Sequence, residues 1–371
     1  MSRFSQLDGL RGWAALCVAI GHVTPSISPF DIWIIKIFTD TKLAIAVFFV
    51  LSGFVLSIKF INLDLDLASF VKRIAGRYFR LMIPIMFISL LVLILDSFSL
   101  FYNQKIHIFE PFWGYSNVYN FEKSIIDQIT WAFYSVFFNY SNQSSYIPPA
   151  WTMPAELRGS YAIYIGLFII GLFNQKYRIY VLILASGVVS SYLFISDFHY
   201  LAYFFVGHIL AALYFKAIHL QKSIKQLKEI VFSCLFFLII LFTAFRNEIA
   251  NVYTDLFLSS MMVACVIWSP FLANFFQNKI SRFLGKISFT LYLIHVPIYC
   301  SFSSYLLFYF DTHNIVSSTL VFSILIPLSI MLSIFGAYIL YPLEKFAIIF
   351  NRKIVQFDLK RLKFIFPIKL K

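Results

Sequence analysis

Two ionisable side chains, Arg11 and His22, stand eleven positions apart in a stretch that is otherwise almost wholly apolar. In a continuous helix that spacing is nearly three turns. The two side chains then share one face, about 20° apart in projection, with roughly 16 Å of rise between them. Ala15 and Val18 lie between them on that face, flanked by Ala14. These small side chains allow a ligand or another element to lie close. Asp8 precedes Arg11 by almost one turn. An ionisable group at the centre of a lipid-spanning helix costs about 2.5–3.5 kcal/mol, so it marks a functional position. Asp8 and Arg11 sit near the start of the helix, whereas His22 lies deeper. Imidazole, with an unperturbed pKa of about 6.5, can serve as a neutral base at physiological pH. The alternative for His22 is a hydrogen-bonded place in the packing.

A second group of cations follows. Arg73, Arg77 and Arg80 fall at i, i+4 and i+7, within roughly 60° of one another on a helix. The apolar stripe beside them is Leu67, Phe70, Val71, Ile74, Tyr78 and Leu81. Aligned guanidiniums repel unless something anionic lies against them, and their planar forks suit phosphate oxygens. Two partners fit: lipid head groups, or a phosphorylated cofactor whose site Arg11 joins from the same membrane side. Ser52, beside Gly53 in the apolar run Ala44 to Ser57, reads as a packing residue, with an acylated nucleophile as the sharper alternative. Glu156 either orients an imidazole or substrate hydroxyl, or pairs locally with Arg158. His295 is a packing residue or a second catalytic histidine, and His208 reads as packing.

The elements that must hold these groups are helices in lipid. Of 371 residues, 60% are hydrophobic and only 13% charged, and 46 are Phe; the mean hydropathy is +0.82. Soluble domains run near 25% charged, so the chain reads as an integral membrane protein. Ten apolar runs of spanning length are predicted, at about 10–28, 43–61, 79–101, 155–173, 178–196, 199–217, 229–246, 253–275, 286–309 and 316–343. The segment 124–138 carries Asp127 and Gln128 and reads as interfacial. The fold class is therefore all-α, a polytopic bundle of about ten transmembrane helices.

With both termini cytoplasmic, most Lys and Arg fall on the inner side, among them Lys72, Lys176, Lys225, Lys279, Arg282 and the tail Lys345 to Lys371. That positive-inside pattern accounts for most of the net charge of +13 and removes the need for a nucleic-acid surface. The basic tail, 346–371, faces anionic lipid heads. The long insertion 102–154 lies outside. It is rich in Tyr, Phe and Trp and ends around Trp151, as sugar recognition or a membrane interface requires. Cys17, Cys234, Cys265 and Cys300 all fall inside predicted spans, so no disulfide framework is indicated. The first run lacks a small-x-small cleavage site and reads as a retained helix. A rival function is a proton-coupled polytopic transporter relaying through His22, Glu156 and Asp8. It would favour paired internal repeats, and none is evident.

Six short motifs now stand in order along residues 5–345. They are Leu7-Asp8-Gly9-Leu10-Arg11-Gly12 with His22, Phe48 to Ser57, and Arg77-Tyr78-Phe79-Arg80. Then come Trp151-Thr152-Met153 with Glu156, Ile287 to His295 including Tyr292, and Tyr341-Pro342-Leu343-Glu344. Together they resemble the signature of the acyltransferase 3 family of polytopic membrane acyltransferases. Thr152, Met153 and Phe289 replace the family's commoner Ser, Leu and Tyr, and Pro154 alters the Glu156 element.

The resemblance implies transfer of an acyl group from cytoplasmic acyl-CoA, acetyl-CoA by default, to a hydroxyl of a cell-surface glycan or lipid-linked sugar. It assigns activity to Arg11 and His22 and the CoA donor to Arg77 and Arg80. Arg73 is counted with the donor group, and Glu156 with His22 as catalytic. Asp8, Ser52, Trp151, Tyr292 and His295 are supporting candidates. On this reading His22 takes the hydroxyl proton, a step worth about 10²–10⁴-fold. No metal is expected. Implied partners are the lipid bilayer of a bacterial inner membrane and a separate periplasmic transferase or a second copy of the chain. The membrane domain spans 1–345, and no esterase-like domain is expected after it.

Overall fold

The structure is a computed structural model that describes residues 4–24, 33–61, 66–109, 113–219, 226–246, 250–315 and 317–356. Residues 357–371 of the expected basic tail, and Lys225 of the expected inner side, lie outside the described residues. Among the described residues all regular structure is helical. The helices are α1 (Ser5–Val23), α2 (Trp33–Thr39), α3 (Thr41–Ile58), α4 (Leu67–Ser97) and α5 (Ile125–Thr130). They continue as α6 (Met153–Gly171), α7 (Arg178–Ile195), α8 (His199–His219), α9 (Gln226–Thr243) and α10 (Val252–Trp268). The last four are α11 (Pro270–Phe276), α12 (Lys279–Ile298), α13 (Ser304–Thr312) and α14 (Ser318–Gln356).

Among the described residues six helices are long and apolar enough to cross a membrane: α3, α4, α7, α8, α12 with α13, and α14. α10 and α11, bent by 97° at Ser269, bring the number up to seven when the bent pair is counted as one span. Ser269 caps α11 by accepting from the Leu272 N–H, and Pro270 occupies its first turn, where a missing N–H does no harm. The runs expected at 10–28, 155–173 and 229–246 also form helices, but fall outside that class. α1 and α6 carry Asp8, Arg11 and His22 or Glu156 and Arg158. The groups that make these helices chemically interesting are the ones that lower their hydropathy.

Between helices already in lipid little hydrophobic drive remains, so close backbone approach and interhelical hydrogen bonds must hold the bundle. Both occur where α1 crosses α12. A Cβ on Gly12 would overlap the backbone of Leu284 and Gly285, and one on Gly285 would overlap Asp8. Trp13 Nε1 donates to Ser281 at 3.0 Å, and Tyr299 donates to the Ala19 carbonyl at 2.8 Å. The small strip between Arg11 and His22 is buried here, with Ala15 and Val18 both 0% exposed. The strip therefore admits another helix. The α3–α8 contact repeats the device: Gly207 meets the Val50 carbonyl, and His208, buried as expected, bonds Ser57.

The segment 124–138 packs against α4. Ser124 caps α5, a π turn over Trp131–Ser135 follows, and the chain runs down the side of α4. Gln128 is buried and donates to the Met86 carbonyl and to Ser89 at 3.1 and 2.7 Å, while Tyr78 donates to the Phe133 carbonyl. A buried amide needs partners, and α4 supplies them. The outward residues Ile125, Ile126 and Phe138 are exposed, as suits a lipid-facing arm.

Residues 113–124 reach the ends of α1 and α12. Tyr115 donates to the His22 carbonyl at 2.8 Å, and Trp113 donates to Ser304 at 2.9 Å. Burial pushes the Tyr115 phenol well above its ordinary range. It therefore remains a donor at any physiological pH, and it satisfies a carbonyl in the last turn of α1 that has no helical partner.

Candidate active site

One cavity of about 160 Å³ is lined by residues from each of the six motifs. Asp8 and Arg11 enter it from α1, Ser52 from α3, Arg77 and Arg80 from α4, and Glu156 from α6. Tyr292 enters from α12 and Glu344 from α14. Each side chain projects from a different part of the sequence, so only the packed bundle brings them together. The lining holds four cations, Arg11, Arg77, Arg80 and Lys286, against three carboxylates, Asp8, Glu156 and Glu344.

The cations are not equivalent. Arg77 is spent on protein: it pairs with Glu156, and its Nε donates to Ser160 at 2.8 Å. Ser52 donates to the same Glu156 carboxylate at 2.8 Å. Arg11 stands 4.0 Å from Asp8. Arg80 makes no hydrogen bond or ion pair among the described residues, although its guanidinium lines the cavity. An unbonded guanidinium there is a ready partner for an anion. Lys286 is the exposed cation of the group. Arg73, placed with this group from the sequence, instead stacks its guanidinium 3.6 Å from the Phe60 ring centre and does not line the cavity. The i, i+4, i+7 pattern brings the three arginines near one face, but Phe60 turns the first aside.

His22 and His295 form a second centre. His22 Nδ1 lies 3.0 Å from His295 Nε2, with the rings nearly parallel. His295 is fully buried, and its Nδ1 lies 3.1 Å from the Leu291 carbonyl. A carbonyl only accepts, so His295 Nδ1 carries the proton, and in the neutral ring Nε2 is left to accept. The His22 proton is then on Nδ1, donated to His295. This order of bonds leaves the lone pair of His22 on Nε2. Such a fixed tautomer is what a base needs.

The two centres do not share a cavity. Neither His22 nor His295 lines the arginine cavity, whose lining includes Tyr292, Phe48 and Thr152. The Tyr292 ring lies 6.1 Å from that of His295, so one aromatic layer separates them. Glu156, considered as a partner for an imidazole or for Arg158, is held by Arg77 and Ser52. Trp151 packs edge-on against Tyr200 outside the cavity.

Sequence reasoning did not single out Lys286, Phe48 or Thr152 for the site. Phe48 and Thr152 stand inside two of the motifs, which was the available signal. Lys286 had only its position next to Gly285. Among the described residues no group of three or more His, Cys, Asp or Glu side chains is placed to hold a metal ion. The cysteines are free.

Comparison with curated proteins returns no match, and neither does comparison with solved structures. A family model described as an acyltransferase domain, that of the acyltransferase 3 family, matches residues 4–341. The match takes in both histidines and every cavity residue except Glu344 and Ile348. The chain thus belongs to the acyltransferase 3 family, and it is an acyltransferase built as a membrane helix bundle.

Proposed function

We propose that this enzyme is an O-acyltransferase that takes an acyl group, acetyl by default, from cytoplasmic acyl-CoA. It passes the group to a hydroxyl of a glycan on the other side of a bacterial inner membrane. The observation that carries the reading is the convergence of motif residues from α1, α3, α4, α6, α12 and α14 on one arginine-lined cavity, one aromatic layer from a paired imidazole. In this reading α1, α6 and α9 also cross the bilayer, giving ten spans with both termini cytoplasmic. The positive-inside distribution supports it.

The donor's phosphates meet Arg80, Arg11 and Lys286, while Arg77 holds the wall of the cavity through Glu156 and Ser160. The thin pantetheine arm suits a cavity of about 160 Å³. Transfer is direct. The acceptor oxygen attacks the thioester carbonyl, and its proton goes to His22 Nε2. As the carbon–sulfur bond breaks, the same proton passes to the leaving thiolate. The products are an ester and free CoA. His295 holds the His22 tautomer through each turnover. O-antigen, capsule, exopolysaccharide and lipid-linked sugars all present suitable hydroxyls. A separate periplasmic transferase or a second copy of the chain is the partner this reading admits.

The test is acyl transfer to surface glycans in cells carrying His22→Ala or His22→Gln, read by mass spectrometry of the glycans. Loss in both variants at normal protein levels is the expected result. Full acylation by both would remove His22 from the chemistry.

A further inference from the structure

In the donor reading the acyl group passes from the arginine cavity to the histidine pair by way of Tyr292, which lines the cavity 6.1 Å from the His295 ring, and of Phe48, which lines the cavity against Tyr292. The Phe48 and Tyr292 rings meet edge-on, with centroids 5.8 Å apart. The two rings are held differently. Tyr292 is 5% exposed, and its hydroxyl donates to the Pro149 carbonyl at 2.7 Å. With that proton committed, the Thr152 hydroxyl at 2.9 Å donates to the Tyr292 oxygen. Two bonds from the turn before α6 therefore fix the tyrosine ring. Phe48 has no polar anchor. It lines the cavity as Phe49 does, but it is only half-buried, whereas Phe49 is 2% exposed.

We infer that Phe48 and Tyr292 form the sieve that sets the size of the acyl group, with Phe48 the leaf that moves and Tyr292 the fixed post. This rests on the donor reading above. A thioester rising from the arginines presents its acyl end to this pair before it reaches His22. An acetyl group passes when one phenyl ring turns aside. Each further methylene must share the gap with the Tyr292 ring, which its two hydrogen bonds prevent from yielding. Steric selection by a rigid apolar wall is worth about tenfold or more per methylene.

The experiment uses the full chain in membranes that carry its native glycan. Radiolabelled acetyl-, butyryl- and octanoyl-CoA serve as donors, glycan-bound label as the readout, and unlabelled CoA as competitor. For the wild type, transfer should fall at least about tenfold from acetyl to butyryl. Phe48→Ala should narrow that gap to within about threefold while the inhibition constant of free CoA stays the same, because the phosphate contacts lie elsewhere. Phe48→Leu provides a second, milder opening should the alanine variant accumulate poorly. Tyr292→Phe, which keeps the ring and deletes both hydrogen bonds, should also narrow the gap. A wild-type chain-length profile in both Phe48 variants would overturn the sieve and leave the donor reading intact. No label from any acyl-CoA with the wild type would overturn the donor reading, and the sieve with it.

Discussion

At the scale of single residues, the chemistry depends on which nitrogen of each imidazole carries a proton. The Leu291 carbonyl sets His295, and His295 sets His22. Replacing His295 by Phe removes the acceptor for His22 Nδ1–H and lets the His22 tautomers mix. We expect kcat to fall about 10–100-fold, the usual effect of losing a group that orients a reactive ligand. The acid limb of the pH–rate profile should move as well. His295→Gln, whose amide oxygen can accept the same proton, should recover part of the rate. Arg80 makes a contrasting case, because it bonds no protein group among the described residues. Arg80→Glu should raise the KM for acyl-CoA at least tenfold, about 1.4 kcal/mol of donor binding, an effect read on the donor. Arg77→Ala should be read on stability. It leaves Glu156 unpaired in a largely buried place, an uncompensated charge that costs about 3–5 kcal/mol, read as a lowered thermal midpoint in detergent.

At the scale of elements, the crossing of α1 and α12 places both centres, since each helix contributes to the arginine cavity and to the histidine pair. Gly12→Val should force these helices apart. We expect impaired accumulation and loss of transfer together, checked by membrane protein yield alongside glycan acylation. Much of this element-level picture was legible in the chain. Arg11 and His22 had helical spacing, and Ala15 and Val18 between them, flanked by Ala14, predicted that a ligand or another element lies close. The neighbour itself was not legible, because α12 lies more than 260 positions away. The packing of the segment 124–138 was not legible, for a local reason. Its charge and amide read as interfacial, whereas Gln128 finds its partners on α4. The Phe48–Tyr292 layer was invisible to spacing altogether. It exists only where α3 meets α12, and a phenylalanine in an apolar run carries no mark of its role.

At the scale of the whole molecule, three remote helix ends are tied by one buried cation. Arg246 is 1% exposed and bonds Asp40 at 2.6 Å and Asp255 at 2.6 Å. Asp40 also caps α3. Arg246→Ala would leave two carboxylates facing each other, and should destabilise the bundle by about 3–5 kcal/mol, more than Asp255→Asn, as measured by thermal unfolding in detergent. The floor of the molecule is a different kind of part. α11 turns 97° from α10, exposes Phe271 and Phe275, and ends beneath Gly9 of α1. The helix that carries Arg11 and His22 stands on this bent aromatic foot, so a change in the depth of the foot in lipid moves that helix. Hydrophobic thickness thereby becomes an input to the reaction. Proteoliposomes made from shorter- or longer-tailed phosphatidylcholines shift the foot against the rest of the bundle, at fractions of a kcal/mol per Å. Turnover should peak at one tail length and fall on either side of it.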